Sequence, residues 1–536
     1  MATQWQTFPI EFKGGLISNM SPLQQGLNAI GSASVLQNME PDRQGGYTKI
    51  KGYTKFSNSE IPGEDVVLGL RVVSSGRAVV ARKVDADAIS NVTGLSSGDE
   101  GKTAYYFGTG TTWNHMATSA SVNGNKVKHA NFNFTGDEKT VFVDGVNYPG
   151  IYNSNGNTMS FLTSSSTNIN TDVEGAELVT VFKNAAFYSK GSNIIFTVPF
   201  SVDNFSVAEG AGSLSVGNTV TGMIVFREQL IIFTQDSIKR LVGNTSSDFQ
   251  LQPITDKIGC INADSVQEYG GDVIYLSPDG IRLLSATDRI GDFGLDVASD
   301  TIFRDADEFL RSTSTYSSVI LREKGQYRIF AYLSAQNKEV SKGLVATKFL
   351  SQGAAGVQWS TTKGLKVYIA DSVYVGTSEA IMFANEDGYL YEMETTNGFD
   401  GESIETIYES PYMPITDPEV RKTAYKLTLY TDPTGSMNLK FRLLFNFDSG
   451  GDTRTVQPEE IDLGSSSGGG GIFVFGSPNA VFGASGVVFG STPKKVYNEN
   501  LIGSFHTAAM RITSDSTDPT FTLDSAVLQY RQNDRQ

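Results

Sequence analysis

The side chains able to do chemistry are few and scattered. The chain has three histidines, His115, His129 and His506, and one cysteine, Cys260. Nucleophilic pairs of the Ser–His kind therefore have almost no base to draw on. The histidines are also too far apart to hold a metal from one local element. Cys260 has no partner for a disulfide and no companions for a zinc site, so it is expected to be a small buried apolar side chain. The H-E-x-x-H helix, the Walker loop and the dinucleotide fingerprint are absent. Paired carboxylates could support glycoside hydrolysis. With 58 acidic residues, however, accidental pairs are guaranteed, and linear spacing cannot say which of them meet in space. The expectation is a chain that is not an enzyme, with no catalytic, cofactor-binding or metal-ligating set.

Charge narrows the function classes further. Lys and Arg number 42 against 58 Asp and Glu, a net charge of −16, and basic residues cluster only in pairs such as Arg421-Lys422 and Lys494-Lys495. A protein that grips nucleic acid by its phosphates needs a positive face, so specific DNA binding is disfavoured. An acidic surface instead repels the polymer and lets it slide. The N-terminus, Met1 to Gly15, has no apolar run of the signal-peptide kind, and no stretch is long enough to span a bilayer. Synthesis in a cytoplasm is expected.

The elements that must position any site are strands. Aromatics make up 11% and charged residues only 19%, with 55 glycines, the composition of a β protein too long for one core. Between Leu178 and Ser285 a hairpin pattern recurs. Val181–Tyr188 lies over Val225–Ile232, and Ile232–Leu241 over Tyr275–Leu284, at offsets of 44 and 43 that follow from the residue numbers. A repeat near 40 to 45 residues is the period of four-stranded propeller blades. Further hairpins are expected at Val66–Val73 with Ala78–Val84, at Thr140–Val143 turning at Asp144-Gly145 into Val146–Tyr148, at Lys324-Gly325, and at Asp387-Gly388. Counting turns gives about six blades, or seven with the strands from Val66 to Phe107.

One helix interrupts the sheets, with Asp300 as its cap and Ile302, Phe303, Ala306, Phe309 and Leu310 on its buried face. Asp305, Asp307 and Glu308 fall on the opposite, solvated face. After Glu392 the strands lengthen and lose the blade period, as in a sandwich. The expected fold is all-β: an N-terminal arm (1–60), a β-propeller (61–395) and a C-terminal β-sandwich-like domain (396–536) carrying a Gly/Phe-rich insertion (464–493). In that insertion Val-Phe-Gly recurs every seven residues at Phe475, Phe482 and Phe489, with no charge between Asp462 and Lys494. An uncharged, Phe-bearing loop needs cover, so these three residues are expected to form an apolar constriction or a subunit contact.

Two resemblances follow from quoted residues. Ser97-Gly98-Asp99-Glu100-Gly101-Lys102-Thr103 is similar to the Asp box of sialidase-like propellers, a turn device. The order Gly14-Gly15-Leu16, Ser21-Pro22, Asn38-Met39-Glu40-Pro41-Asp42, Gly45-Gly46-Tyr47, Lys49 and Gly52-Tyr53 resembles the opening of the tail nozzle proteins of short-tailed bacteriophages, also called tail tubular or packaged-DNA stabilisation proteins. One extra residue sits inside the Asn38–Asp42 turn. Ser410-Pro411-Tyr412, Asp417-Pro418 and Arg421-Lys422 resemble the later part of that family. The resemblance implies a virion tail protein forming a hexameric ring below the portal and adaptor. Tail fibre or needle proteins would be further partners, and double-stranded DNA would pass through the lumen without specific binding. A carbohydrate-binding or glycan-cleaving propeller, such as a receptor-binding module, is the alternative.

Overall fold

The repeated hairpins are successive blades. Leu178–Phe182 pairs with Ala185–Lys190 across the turn Lys183-Asn184, and Val220–Phe226 pairs with Gln229–Thr234 across Arg227-Glu228. All four turn residues have φ between 45° and 64°, the left-handed backbone that lets a two-residue loop follow the strand twist. None is glycine, so both copies carry the same backbone strain. In the computed structural model the described residues are 5–134, 136, 138–285, 297–313, 315–333, 341–351, 354–435, 437–447, 459–465 and 495–533.

Six free-standing blades form most of a β-propeller. Their innermost strands are Glu64–Val72, Lys128–Phe132, Leu178–Phe182, Val220–Phe226, Gln267–Tyr269 and Ile369–Val375. The place between the fifth and the last of these is filled by Tyr316–Leu321, the first strand of a nine-stranded sheet. The inner strands of the last and first blades touch, as do those of the second, third and fourth, and Tyr316–Leu321 touches the inner strands on both of its sides. Each seam has its own apolar filling, such as Phe187, Ile194, Leu230 and Ile232 between the third and fourth blades. A blade cannot bury both of its faces alone, so the ring is the smallest unit that does.

The N-terminal arm is woven into both the propeller and the sandwich. Tyr53–Lys55 is the fourth strand of the blade formed by Ile369–Val375, Ser378–Ala384 and Leu390–Met393, so the start of the chain closes the ring. Gln6–Glu11, Met39–Pro41 and Tyr47–Lys49 join one layer of the C-terminal sandwich, with Phe521–Gln532 and Lys422–Pro433 at its centre. Val35–Gln37 enters the other layer. It lies parallel to Ala354–Lys363 on one side and antiparallel to Ile404–Glu409 on the other, which makes propeller and sandwich share the nine-stranded sheet. Leu427, Leu429 and Leu528 of one layer pack with Tyr408, Phe441 and Ile512 of the other in a single core.

The residues of the N-terminal block meet tight requirements at this joint. Gly15 has φ +69°, and a Cβ there would stand 2.9 Å from the Trp359 carbonyl oxygen. A Cβ on Gly52 would stand 1.8 Å from the Gly398 oxygen. Asn38 holds φ 52°; its amide donates to the carbonyls of Lys363 and Glu405 at 3.1 and 2.8 Å. Buried Lys49 donates to the carbonyls of Ser516 and Asp518 at 2.7 and 2.9 Å, and burial lowers its pKa to about 8. Glu40 pairs with Arg328 at 3.0 Å, and Arg328 also pairs with Glu394 at 2.8 Å. Lys324 contacts both carboxylates. Burial alone would raise the Glu394 carboxyl, but Arg328 and Lys324 hold it below the usual range.

Three local expectations need correction. Val146–Tyr148 is not a strand, because the Asp144 carboxylate accepts from the Val146 and Asn147 amides and turns the chain; the partner strand is Gly150–Asn153. The helix runs from Phe303 to Ser312, and Asp300 lies in the single 3-10 turn before it. Phe303, at the first helical position, points outward and is 58% exposed, whereas Ile302, Ala306 and Phe309 are buried.

Candidate functional site: the propeller axis

The innermost strands enclose a cavity of about 300 Å³ on the axis. Its lining includes Lys128, His129, Asp264 and Asp371, four titratable side chains from three positions of the ring. Lys126 and Lys128 come with the second blade, and Asp264 stands in the turn before the fifth. Three places apart is the widest separation a ring of seven allows, so their contact crosses the axis. Lys126 Nζ donates to Asp264 at 2.9 Å and to the Tyr316 carbonyl at 2.7 Å, and Lys128 also pairs with Asp264. The Lys126 ammonium also sits 4.8 Å from the centroid of the Tyr368 ring. Groups from the second, fifth, sixth and last positions thus meet at the axis.

The electrostatics follow from burial and pairing. Burial alone would raise the Asp264 carboxyl; the two lysines outweigh it and hold it well below the usual carboxylate range. Burial brings Lys126 down to about 8 despite Asp264 beside it. His129 is pushed down to about 4 by burial, with Asp371 only 3.8 Å away as a partial offset, so its imidazole is neutral at pH 7. Asp371 accepts from Arg71 at 3.1 Å and from the Val72 amide at 2.8 Å. Both axial carboxylates are paired with cations. What the cluster does is clamp opposite sides of the ring.

A second cavity, about 420 Å³, opens where the inner strands enter, between Asp65, Lys83, Tyr332, Tyr368 and Glu386. The two tyrosine rings meet edge to face, 4.9 Å apart. The Tyr332 hydroxyl donates to Glu386 at 3.0 Å, and Lys366 pairs with the same carboxylate. Aromatic faces beside a carboxylate and a lysine suit a polar, hydroxyl-rich ligand.

Phe475, Phe482 and Phe489 lie outside the described residues. Cys260 is fully buried, and burial pushes its thiol up to about 11. Ser97–Asp99 is a 3-10 turn in which Asp99 accepts from the Ser96 amide at 3.0 Å, leading into Lys102–Gly108. Asp307 pairs with Arg311 at 2.9 Å and Glu308 with Lys342 on the outside of the helix. Among the described residues, no three His, Cys, Asp or Glu side chains are placed to share a metal ion. No helix among them is long and apolar enough to cross a membrane.

No family model matches the chain, and no curated protein does. Among solved structures it aligns with an exo-β-1,3-galactanase from Phanerochaete chrysosporium, solved with galactose. The identity is 9%, over 90% of this chain and 100% of the other, with a TM-score of 0.26. It also aligns with a glycoside hydrolase family 43 arabinoxylan arabinofuranohydrolase from Bacillus subtilis, in complex with cellotetraose. There the identity is 8%, over 90% and 99%, with a TM-score of 0.25. The expectation that the chain is not an enzyme is withdrawn at this point, because the aligned structures are glycoside hydrolases. The physical reason it could be mistaken is the folding itself: Asp264 and Asp371 line one cavity, although nothing in their linear spacing pairs them. At these TM-scores the likeness assigns no activity to this chain.

Proposed function

We propose that the chain is a structural tail component of a short-tailed phage virion, a nozzle subunit assembling as a hexameric ring. Made in the host cytoplasm, it would sit below the portal and adaptor and carry tail fibre or needle proteins. Double-stranded DNA would be retained in the lumen and released on ejection. One observation carries the reading. The block from Gly14 to Tyr53, on which the resemblance chiefly rests, supplies Gly15, Asn38, Glu40, Lys49 and Gly52 to the joint of propeller and sandwich, each under steric or ionic constraint. A motif with several residues held by one architecture is better evidence of shared architecture than a match in free loops. The clamp of Lys126, Lys128 and Asp264 ties opposite sides of the propeller together, which suits a wall; the DNA path then runs between copies. Negative-stain microscopy of the purified protein is expected to show rings open enough for duplex DNA, and mass spectrometry of purified virions is expected to detect the chain. Absence from virions sinks the reading.

A second reading, a glycan-binding or glycan-cleaving propeller, has the Tyr332–Tyr368 cavity in its favour. A glycan array probed with the purified chain, with Tyr368→Ala as control, tests it. Specific binding lost in that variant supports it, and an empty array removes it.

A further inference from the structure

Large apolar side chains are exposed in two places on the sandwich. The first is a single segment. From Gly14 to Met39 the chain carries no charged residue, although the whole has a net charge of −16. Within it a short helix, Pro22–Asn28, is capped by the Ser21 hydroxyl, and its Gly26 packs on the Tyr412 backbone. That contact turns Leu23 and Leu27, one turn apart, toward solvent, and Leu27 is 55% exposed. Met20, Ile30 and Val35 of the same segment are exposed as well. Hydrogen bonds from the Ser18 and Asn19 amides to the Thr301 carbonyl, at 2.8 and 3.3 Å, tie this segment to the chain two residues before exposed Phe303.

The second place is formed by Trp5, Tyr425 and Ile502. Trp5 stacks on Tyr425 with centroids 4.2 Å apart, and Ile502, next to Leu501 bonded to the Tyr425 carbonyl, is 88% exposed. Val35 points away from the core in one sandwich layer, since its neighbour Leu36 is buried; Tyr425 points away in the other layer, between buried Ala424 and Leu427. The two surfaces therefore look outward from opposite faces of the sandwich.

We infer that these surfaces dock on each other in successive copies of this chain, the helix surface of one on the Trp5–Tyr425–Ile502 surface of the next. Two bodies with a net charge of −16 repel where their charged faces meet. A charge-free apolar segment is where a second copy can approach without that cost, and burying such side chains drives association. Two different surfaces on opposite faces make the contact head-to-tail, the kind that closes into a ring or runs on as a filament. The inference rests on the ring assembly proposed above and assigns it two surfaces.

Sedimentation velocity of the full chain tests it. The wild type is expected to associate with rising concentration, and Leu27→Asp or Ile502→Asp, both at exposed positions, to weaken association about a hundredfold. A mixture of the two variants is expected to stop at a one-to-one dimer, because each brings one intact surface. Phe303→Asp serves as an independent second variant of the helix surface, with circular dichroism checking the fold of each. A wild type that stays monomeric, variants that associate like the wild type, or a mixture that stays monomeric each overturn the inference. A wild-type ring that survives the substitutions overturns the surfaces and leaves the tail reading standing. The expected mixing with no chain in virions does the reverse.

Discussion

At the propeller axis and at the joint with the sandwich, charges from distant segments are brought together, and the two clusters differ in what surrounds them. Lys126, Lys128 and Asp264 line or adjoin a cavity, and the Asp264 side chain keeps 22% of its exposure. Glu40, Arg328 and Glu394 are packed between strands, with the Arg328 side chain 1% exposed. The same pairing chemistry is therefore expected to yield a modest clamp at the axis and a costly lock at the joint. A buried pair broken on one side leaves a charge without water, whereas a cavity can supply some.

Arg328→Met gives the largest expected effect. It takes the buried cation from between Glu40 and Glu394 and leaves both to half-buried Lys324, and urea denaturation is expected to register a loss of about 3 kcal/mol. A loss under about 1 kcal/mol would erase the contrast between lock and clamp.

Asp264→Asn is expected to cost less, about 1–2 kcal/mol at neutral pH, because its lysines face a cavity. The sign with pH follows from the depressed carboxyl. The contribution is complete above the unfolded value near pH 4 and fades as pH falls through the lower folded value, so wild type and variant converge in acid. His129 adds a slope of its own. The unfolded chain takes up a proton near pH 6.5, the folded one only near 4. The wild type should lose about 3 kcal/mol across that window, and His129→Asn should remove the loss. Melting temperatures from pH 7 to 4 check both, and parallel curves for wild type and His129→Asn would count against a buried neutral imidazole.

The smallest effect belongs to the blades themselves. Replacing Arg227-Glu228 with Asn-Gly relieves two left-handed non-glycine residues and should raise stability by about 1 kcal/mol, read as a shift of the denaturation midpoint. No gain would mean that the 3.7 Å ion pair of Glu228 with Lys183 on the neighbouring blade offsets the strain.

The blades were legible because their contacts are local. The hairpin at Lys183-Asn184 and its copy at Arg227-Glu228 lie within a dozen residues of everything that shapes them, and Asp387-Gly388 joins its two strands as expected, with Gly388 at φ +76°. Asp144-Gly145 misled because Asp144 spends its carboxylate on the loop amides. Phe303 misled because helical periodicity does not reveal that Ser18 and Asn19 hold the start of the helix beside an outward-facing segment. The axial site was invisible, since Lys126 and Asp264 are 138 positions apart and nothing in either neighbourhood marks the other.

By itself the sequence determined the all-β class, the blade repeat, the longer sandwich strands and the acidic balance, since each depends on residue types and short spacings. Only the tertiary structure decided that the N-terminal strands close the ring and stitch it to the sandwich, that cations and carboxylates clamp the axis, and which apolar side chains stay uncovered. Those outcomes depend on contacts between segments far apart in the chain, and their partners are chosen by the closing of the ring.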